Sequence, residues 1–140
     1  MERMLHVYDS ICRNNFIVAG PDAGIELAWV DGVRVYNNTV WRQDPEGRDI
    51  RCIEKIHDVD IANNLVRGAL LLTGNETARN NLVGPMEGWF VDPSGGNLRL
   101  RSAVVEVVDQ GLNLPEIEDD IDGRRRGSSP DLGASEYVRQ

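Results

Sequence analysis

Val33-Arg34-Val35-Tyr36-Asn37-Asn38-Thr39-Val40 and Val59-Asp60-Ile61-Ala62-Asn63-Asn64-Leu65-Val66 carry one pattern: an alternating apolar run, an Asn-Asn pair, and a second short apolar run. Two looser copies flank them, Ser10-Ile11-Cys12-Arg13-Asn14-Asn15-Phe16-Ile17 and Glu76-Thr77-Ala78-Arg79-Asn80-Asn81-Leu82-Val83. Counting the second Asn as zero, positions −5, −3 and +2 are mostly apolar or small, and the residues between them mostly polar. That alternation is the period-2 signature of strands with one buried face. The four second asparagines, Asn15, Asn38, Asn64 and Asn81, lie 23, 26 and 17 residues apart. A fixed local frame at irregular spacing fits stacked turns of chain with loops of variable length. Asn tolerates left-handed backbone angles at a bend, and its amide can bond the equivalent Asn one turn away. We therefore expect these four to form a structural ladder. The competing reading is four unrelated turns.

Extended apolar runs also precede the middle copies, at Gly24–Leu27 and Ile50–Ile53. The expected fold is all-β: a short solenoid of four to five stacked coils, about 20–25 Å long at the usual strand spacing. One domain spans 1–140, with coils over 7–101 and an irregular capping tail over 102–140.

The repeats resemble those of the pectate-lyase-like right-handed parallel β-helix proteins. The resemblance is closer in the last third. Phe90-Val-Asp92-Pro93-Ser-Gly-Gly96-Asn97-Leu98-Arg-Leu100 is similar to the segment F-x-D-P-x-x-G-D-[FY]-x-L that follows the last coil in many bacterial members. Asp120-Ile-Asp122-Gly123-Arg-Arg-Arg126 and Pro130-Asp131-Leu-Gly133-Ala134-Ser-Glu136-Tyr137 are similar to the closing D-x-D-G-x-x-R and P-D-[IL]-G-A-x-E-[YF]. The segment between, Ser102 to Gly111, departs from the family's S-P-A-I-D-x-G. These motifs mark a fold and a position, not an activity. The resemblance implies larger relatives with more coils upstream, typically extracellular, and including polysaccharide lyases and hydrolases.

The site patterns of those enzymes are missing from this sequence: there is no Arg-x-Pro-x-x-Arg, and no set of Asn-Thr-Asp, Asp-Asp and Gly-His-Gly. The acids at Asp119, Asp120 and Asp122 read as turn and cap elements, with a catalytic or calcium role as the alternative. His6 and His57 lack metal-ligand spacing with Cys12 and Cys52. His57 reads as a solvated loop residue, and the cysteines as buried thiols or one disulfide. No catalytic residue, metal or cofactor is expected.

A net charge of −8 argues against nucleic acid as a partner, and no apolar run is long enough to span a membrane. The first residues lack a signal-peptide pattern, which leaves the compartment open. Of the 15 basic residues only Lys55 is a lysine. Two outward-facing rows stand out. Arg13, Arg34, Tyr36 and Arg79 can hold an anionic sugar chain, or form a solvated face. Phe16, Val18, Trp41, Leu65 and Leu82 form an apolar stripe that needs a partner, or needs the tail to fold over it. With the first coil's end left open, the expectation is a homo-oligomer. Function is read as a non-catalytic truncated β-helix module that self-associates or binds a partner such as carbohydrate. The alternative is a polysaccharide lyase or glycoside hydrolase.

Overall fold

The computed structural model describes residues 7–139. Among them the chain is all β, with no helix. The strands are β1 (Val7–Arg13), β2 (Phe16–Ala19), β3 (Ile25–Tyr36), β4 (Thr39–Arg42), β5 (Arg48–Ala62), β6 (Leu65–Val66), β7 (Ala69–Leu71), β8 (Thr77–Arg79), β9 (Leu82–Val83), β10 (Phe90–Asp92) and β11 (Asn97–Leu100). The chain alternates between two parallel sheets. One has the order β1-β3-β5-β7, with β8 also pairing β5; the other has the order β2-β4-β6-β9. Each Asn-Asn pair carries the chain from the first sheet to the second.

The register explains the period-2 pattern. Cys12, Val35, Ile61 and Ala78 align in one row, and Ile17, Val40, Val66 and Val83 in another. In the middle of the stack these positions are sealed: Val35, Val40, Ile61 and Val66 are all 0% exposed. They form one core with Val30, Val33, Ile50 and Val59. Cys12 and Cys52 are free thiols, the first half-buried and the second buried. Burial pushes the Cys52 thiol up to about 12, with the Glu76 carboxylate adding to it.

The apolar runs at Gly24–Leu27 and Ile50–Ile53 are not separate strands but the openings of β3 and β5. Neither long strand is straight. Left-handed residues break each into short faces, and these residues stack in columns: Asp9, Gly32 and Asp58; Trp29 and Lys55; Asn14, Asn37, Asn63 and Asn80. Asp, Asn and Gly adopt this conformation at little cost. Trp29 and Lys55 do not.

The parallel ladders end at Val83, short of the expected boundary at 101. Residues 90–100 form an antiparallel hairpin instead, with Phe90 opposite Leu100. The reason is local: Asp92 accepts the Gly95 N–H at 3.2 Å, and Gly96 sits at φ +91°, closing a turn that sends the chain back on itself. From 101 onward the tail carries no strand among the described residues, only an isolated bridge between Asp119 and Arg125.

Candidate functional site

The second asparagine of each pair joins a continuous amide ladder. Asn15 Nδ2 donates to Asn38 Oδ1 at 2.9 Å, Asn38 to Asn64 at 3.0 Å, and Asn64 to Asn81 at 2.9 Å. Each backbone N–H of the first three also donates to the next Oδ1. The lower three amides reach back as well, to the carbonyls of Cys12, Val35 and Ile61. The polar atoms of Asn38 and Asn64 are thus satisfied although both residues are fully buried.

The first asparagine of each pair does different work, which the sequence does not announce. These side chains point at the tail and bind its backbone. Asn14 donates to the Asp119 carbonyl, Asn37 to Asp131 and Gly133, Asn63 to Leu112, and Asn80 to Gln110. Arg126 completes the clasp. Its guanidinium is buried and donates to Asn14 Oδ1, the Asp131 and Gly133 carbonyls and Glu136 Oε2. Burial lowers the Arg126 pKa and raises those of Asp131 and Glu136, with their mutual attraction opposing both effects. Asp120 accepts from the N–H groups of Asp122, Arg124 and Glu136, so the acidic cluster is a set of turn caps.

The clasp holds the tail over the apolar stripe, which is therefore not an open interface. Leu65 is 1% exposed and packs with Val104, Val107 and Leu132 of the tail and with Met86, Phe90 and Leu98 around the hairpin; Phe16, Trp41 and Leu82 are partly buried against the same cluster. Gly133 lies so close that an added Cβ would sit 2.5 Å from Thr39 Oγ1. Only Val18 of the stripe remains exposed, at 45%.

The arginine row is likewise occupied. Arg34 pairs with Asp58, Arg79 with Asp60, and Arg13 donates to the Glu116 carbonyl. Tyr36 is buried under Leu114 and Ile117 and donates to Asp60 at 2.7 Å. Burial, then the bond to Asp60, pushes the Tyr36 hydroxyl up to about 12. Burial opposes ionisation of Asp60, but the bonds from Arg79 and Tyr36 outweigh it and hold its carboxyl below the ordinary range. A free cationic row for an anionic sugar is absent because each of these guanidiniums already has a partner in the chain.

The outer face of β3 and β5 carries an open, continuous set of hollows. A cavity of about 780 Å³ is lined by Trp29, Glu54, Lys55, Ile56, His57 and Asn75. Two shallower grooves continue it: one shares Asn75 and runs past Arg34, Asp58 and Arg79, and the next shares Arg34 and Asp58 and reaches Asp9 and Arg13. Within the cavity Lys55 Nζ lies 6.0 Å from the centroid of the half-buried Trp29 ring. His57 belongs to β5, not to a loop. Its Nδ1 lies 2.8 Å from Asp31 Oδ1, and that hydrogen bond, with the carboxylate charge, raises its pKa although the ring is exposed. Trp29 and Lys55 both sit at left-handed corners, φ +60° and +53°. Holding bulky residues there costs about 1–3 kcal/mol each, the kind of strain that gathers at functional sites.

Neither protein-family models, nor curated proteins, nor solved structures gave a match to this chain.

Proposed function

We propose that the chain is a right-handed parallel β-helix that acts as a non-catalytic binding module, taking an extended, neutral carbohydrate chain along the outer face of β3 and β5. The observation that carries this reading is Trp29. In the other corner columns of the stack the residues are Asp, Gly or Asn, which bend at little cost, whereas this column holds Trp29 and Lys55. At this corner Trp29 occupies a strained position, and its ring lines the cavity of about 780 Å³. An aromatic ring at a groove wall offers a sugar its apolar face, and the grooves sharing Asn75, Arg34 and Asp58 continue the cavity along the same face. Arg34, Arg79 and His57 are each paired with a carboxylate of the chain, which favours hydroxyl groups over a polyanion as the ligand. The β-helix itself is supported by the alternation between two parallel sheets, the stacked corner columns and the amide ladder.

A second reading has one observation behind it. The His57–Asp31 pair is a base oriented by a carboxylate, as acid–base catalysis in a polysaccharide lyase or hydrolase requires. It lies beside Trp29 and faces the same cavity. Against it, the neighbouring acids Asp58 and Asp60 are engaged with arginines, and the Tyr36 hydroxyl is held too basic to ionise near neutrality.

The test is affinity electrophoresis and calorimetry with a neutral β-glucan, a galactomannan, polygalacturonate and alginate. Binding to a neutral polymer is expected, weakened about tenfold by Trp29→Ala, equivalent to about 1.4 kcal/mol. No polymer bound, or binding unaffected by Trp29→Ala, would remove the proposal. Release of reducing ends or of ultraviolet-absorbing unsaturated sugars, lost in His57→Ala, would establish the second reading.

A further inference from the structure

The amide ladder has a direction, and its two ends are complementary. An interior rung such as Asn38 makes a full set of bonds. Its Oδ1 accepts the N–H and Nδ2 of Asn15; its own N–H and Nδ2 donate to Asn64 Oδ1; and its Nδ2 also donates to the Cys12 carbonyl of the strand before it. The end rungs fall short of this set in opposite ways. Among the described residues, Asn15 Oδ1 accepts nothing, and the Asn15 amide makes its remaining contact with Cys12 Sγ at 3.5 Å, a weak acceptor. Asn81 receives both bonds from Asn64 and donates once to the Ile61 carbonyl, but its backbone N–H and second amide hydrogen go to no further rung. Ala78, in register with Cys12, Val35 and Ile61, lies on β8, which pairs only with β5.

We infer that a second copy of this chain docks head to tail, with Asn81 of one copy resting on Asn15 of the next. Asn81 supplies the N–H and amide donors that Asn15 Oδ1 lacks, and the Ala78 carbonyl supplies the acceptor that the Asn15 amide lacks. The apolar rows agree. Val83 is 42% exposed although Val66, one rung above it in the same row, is 0% exposed, and docking would set it over the half-buried Ile17. Leu82 would follow Phe16 in the outer row. The tail and hairpin cover the flank of the second sheet, and among the described residues the two ends of the stack are unpaired strand edges, which invite pairing with another chain. Because the ends differ from each other, the contact is heterologous and does not close as a two-fold dimer does; it propagates.

The experiment is sedimentation velocity with light scattering on the full chain from about 10 to 300 µM, for the native protein and two end-blocked variants. Val83→Glu places a charge at one end and Asn15→Arg a bulky cation at the other, both at exposed positions, with circular dichroism reporting that each remains folded. The native chain is expected to give a molar mass that climbs with concentration without a plateau. Each variant alone is expected to be a monomer. An equimolar mixture is expected to form a dimer and nothing larger, because each variant keeps one competent end. A native monomer at 300 µM, a mass that saturates at a dimer, or variants that fail to pair when mixed would overturn the inference. If one variant unfolds, the other still decides between propagation and closure by acting as a chain terminator on native protein.

Discussion

At the residue scale the adjacent asparagines divide two tasks between them. The second of each pair satisfies its neighbours along the stack, and the first binds the tail, with Asn63 and Asn80 also donating to Oδ1 of Asn37 and Asn63. Asn64 is the centre of the ladder: removing its amide strands the Asn38 N–H, takes a bond each from the Asn38 amide and the Val35 carbonyl, and leaves Asn81 Oδ1 with the Asn64 backbone N–H alone. Asn64→Ala is therefore expected to cost on the order of 1–3 kcal/mol in urea unfolding, whereas Asn15→Ala, at an exposed rung, costs much less. The ladder was readable from the sequence because its members recur in a frame. The role of Asn14, Asn37, Asn63 and Asn80 was not, since their partners are tail carbonyls 30 to 105 residues away, and a carbonyl leaves no mark in a sequence. His57 gives a second residue-scale expectation. Its partner Asp31 raises its folded pKa, so its contribution to stability is complete below its ordinary value, about 6.5, and is lost as pH rises through the folded value. An NMR titration should place the His57 midpoint above 6.5 and lower in Asp31→Asn, with Asp58 still adding to it; a midpoint unchanged by that substitution would remove the pairing as the cause.

At the scale of elements, the tail behaves as a lid fastened by one buried cation. The apolar stripe beneath it was legible as a row that must be covered. The pattern of a strand specifies which face is buried but not what buries it, so a second copy and the chain's own tail were equally good answers on paper. Arg126 settles the matter energetically. It is buried against five oxygen acceptors, four from the tail with Glu136 Oε2 among them and one from Asn14. Truncating such a group leaves the part-buried Glu136 carboxylate without its counter-ion, holding only the Asp131 N–H, a change whose upper range is about 3–5 kcal/mol for fully buried pairs. Arg126→Ala is expected to lower the melting temperature and also to bare Phe16, Trp41 and Leu65. The diagnostic is a red shift in tryptophan emission, with dye binding at temperatures where the far-ultraviolet spectrum of the sheets is unchanged. Loss of sheet and tail signals in a single step would mean instead that the clasp and the stack fold as one unit. The hairpin at 90–100 shows the same limit of reading from another side. Its residues alternate as a coil strand would, and only the turn closed by Asp92 and Gly96 separates a return strand from a crossing one.

At the scale of the whole molecule, charge and ladder pull in opposite directions. Each chain carries a net charge of −8, so two copies repel at long range whatever their ends offer. The head-to-tail register also brings like charges close: Arg79 occupies the row of Tyr36 and Arg13, and docking would set it over Arg13 of the next copy at about the 4.8 Å strand spacing. Asp60 partly offsets Arg79, while Arg13 is held by a neutral carbonyl. The attractive terms, amide hydrogen bonds and the burial of Val83 and Leu82, are short-ranged and insensitive to salt. The repulsive terms are screened, the Debye length falling from about 30 Å at 0.01 M salt to about 8 Å at 0.15 M. Assembly is therefore expected to strengthen as salt is raised, the reverse of an interface built on ion pairs. Sedimentation at one protein concentration across that range reads the sign directly. A weight-average mass that falls with added salt would show that paired charges, not the amide ladder, hold the copies together, and Arg13→Gln would then be without benefit. In the ladder-driven case Arg13→Gln removes the contact repulsion and raises the mass at 0.15 M salt, where the long-range repulsion of its net charge, −9 against −8, is screened.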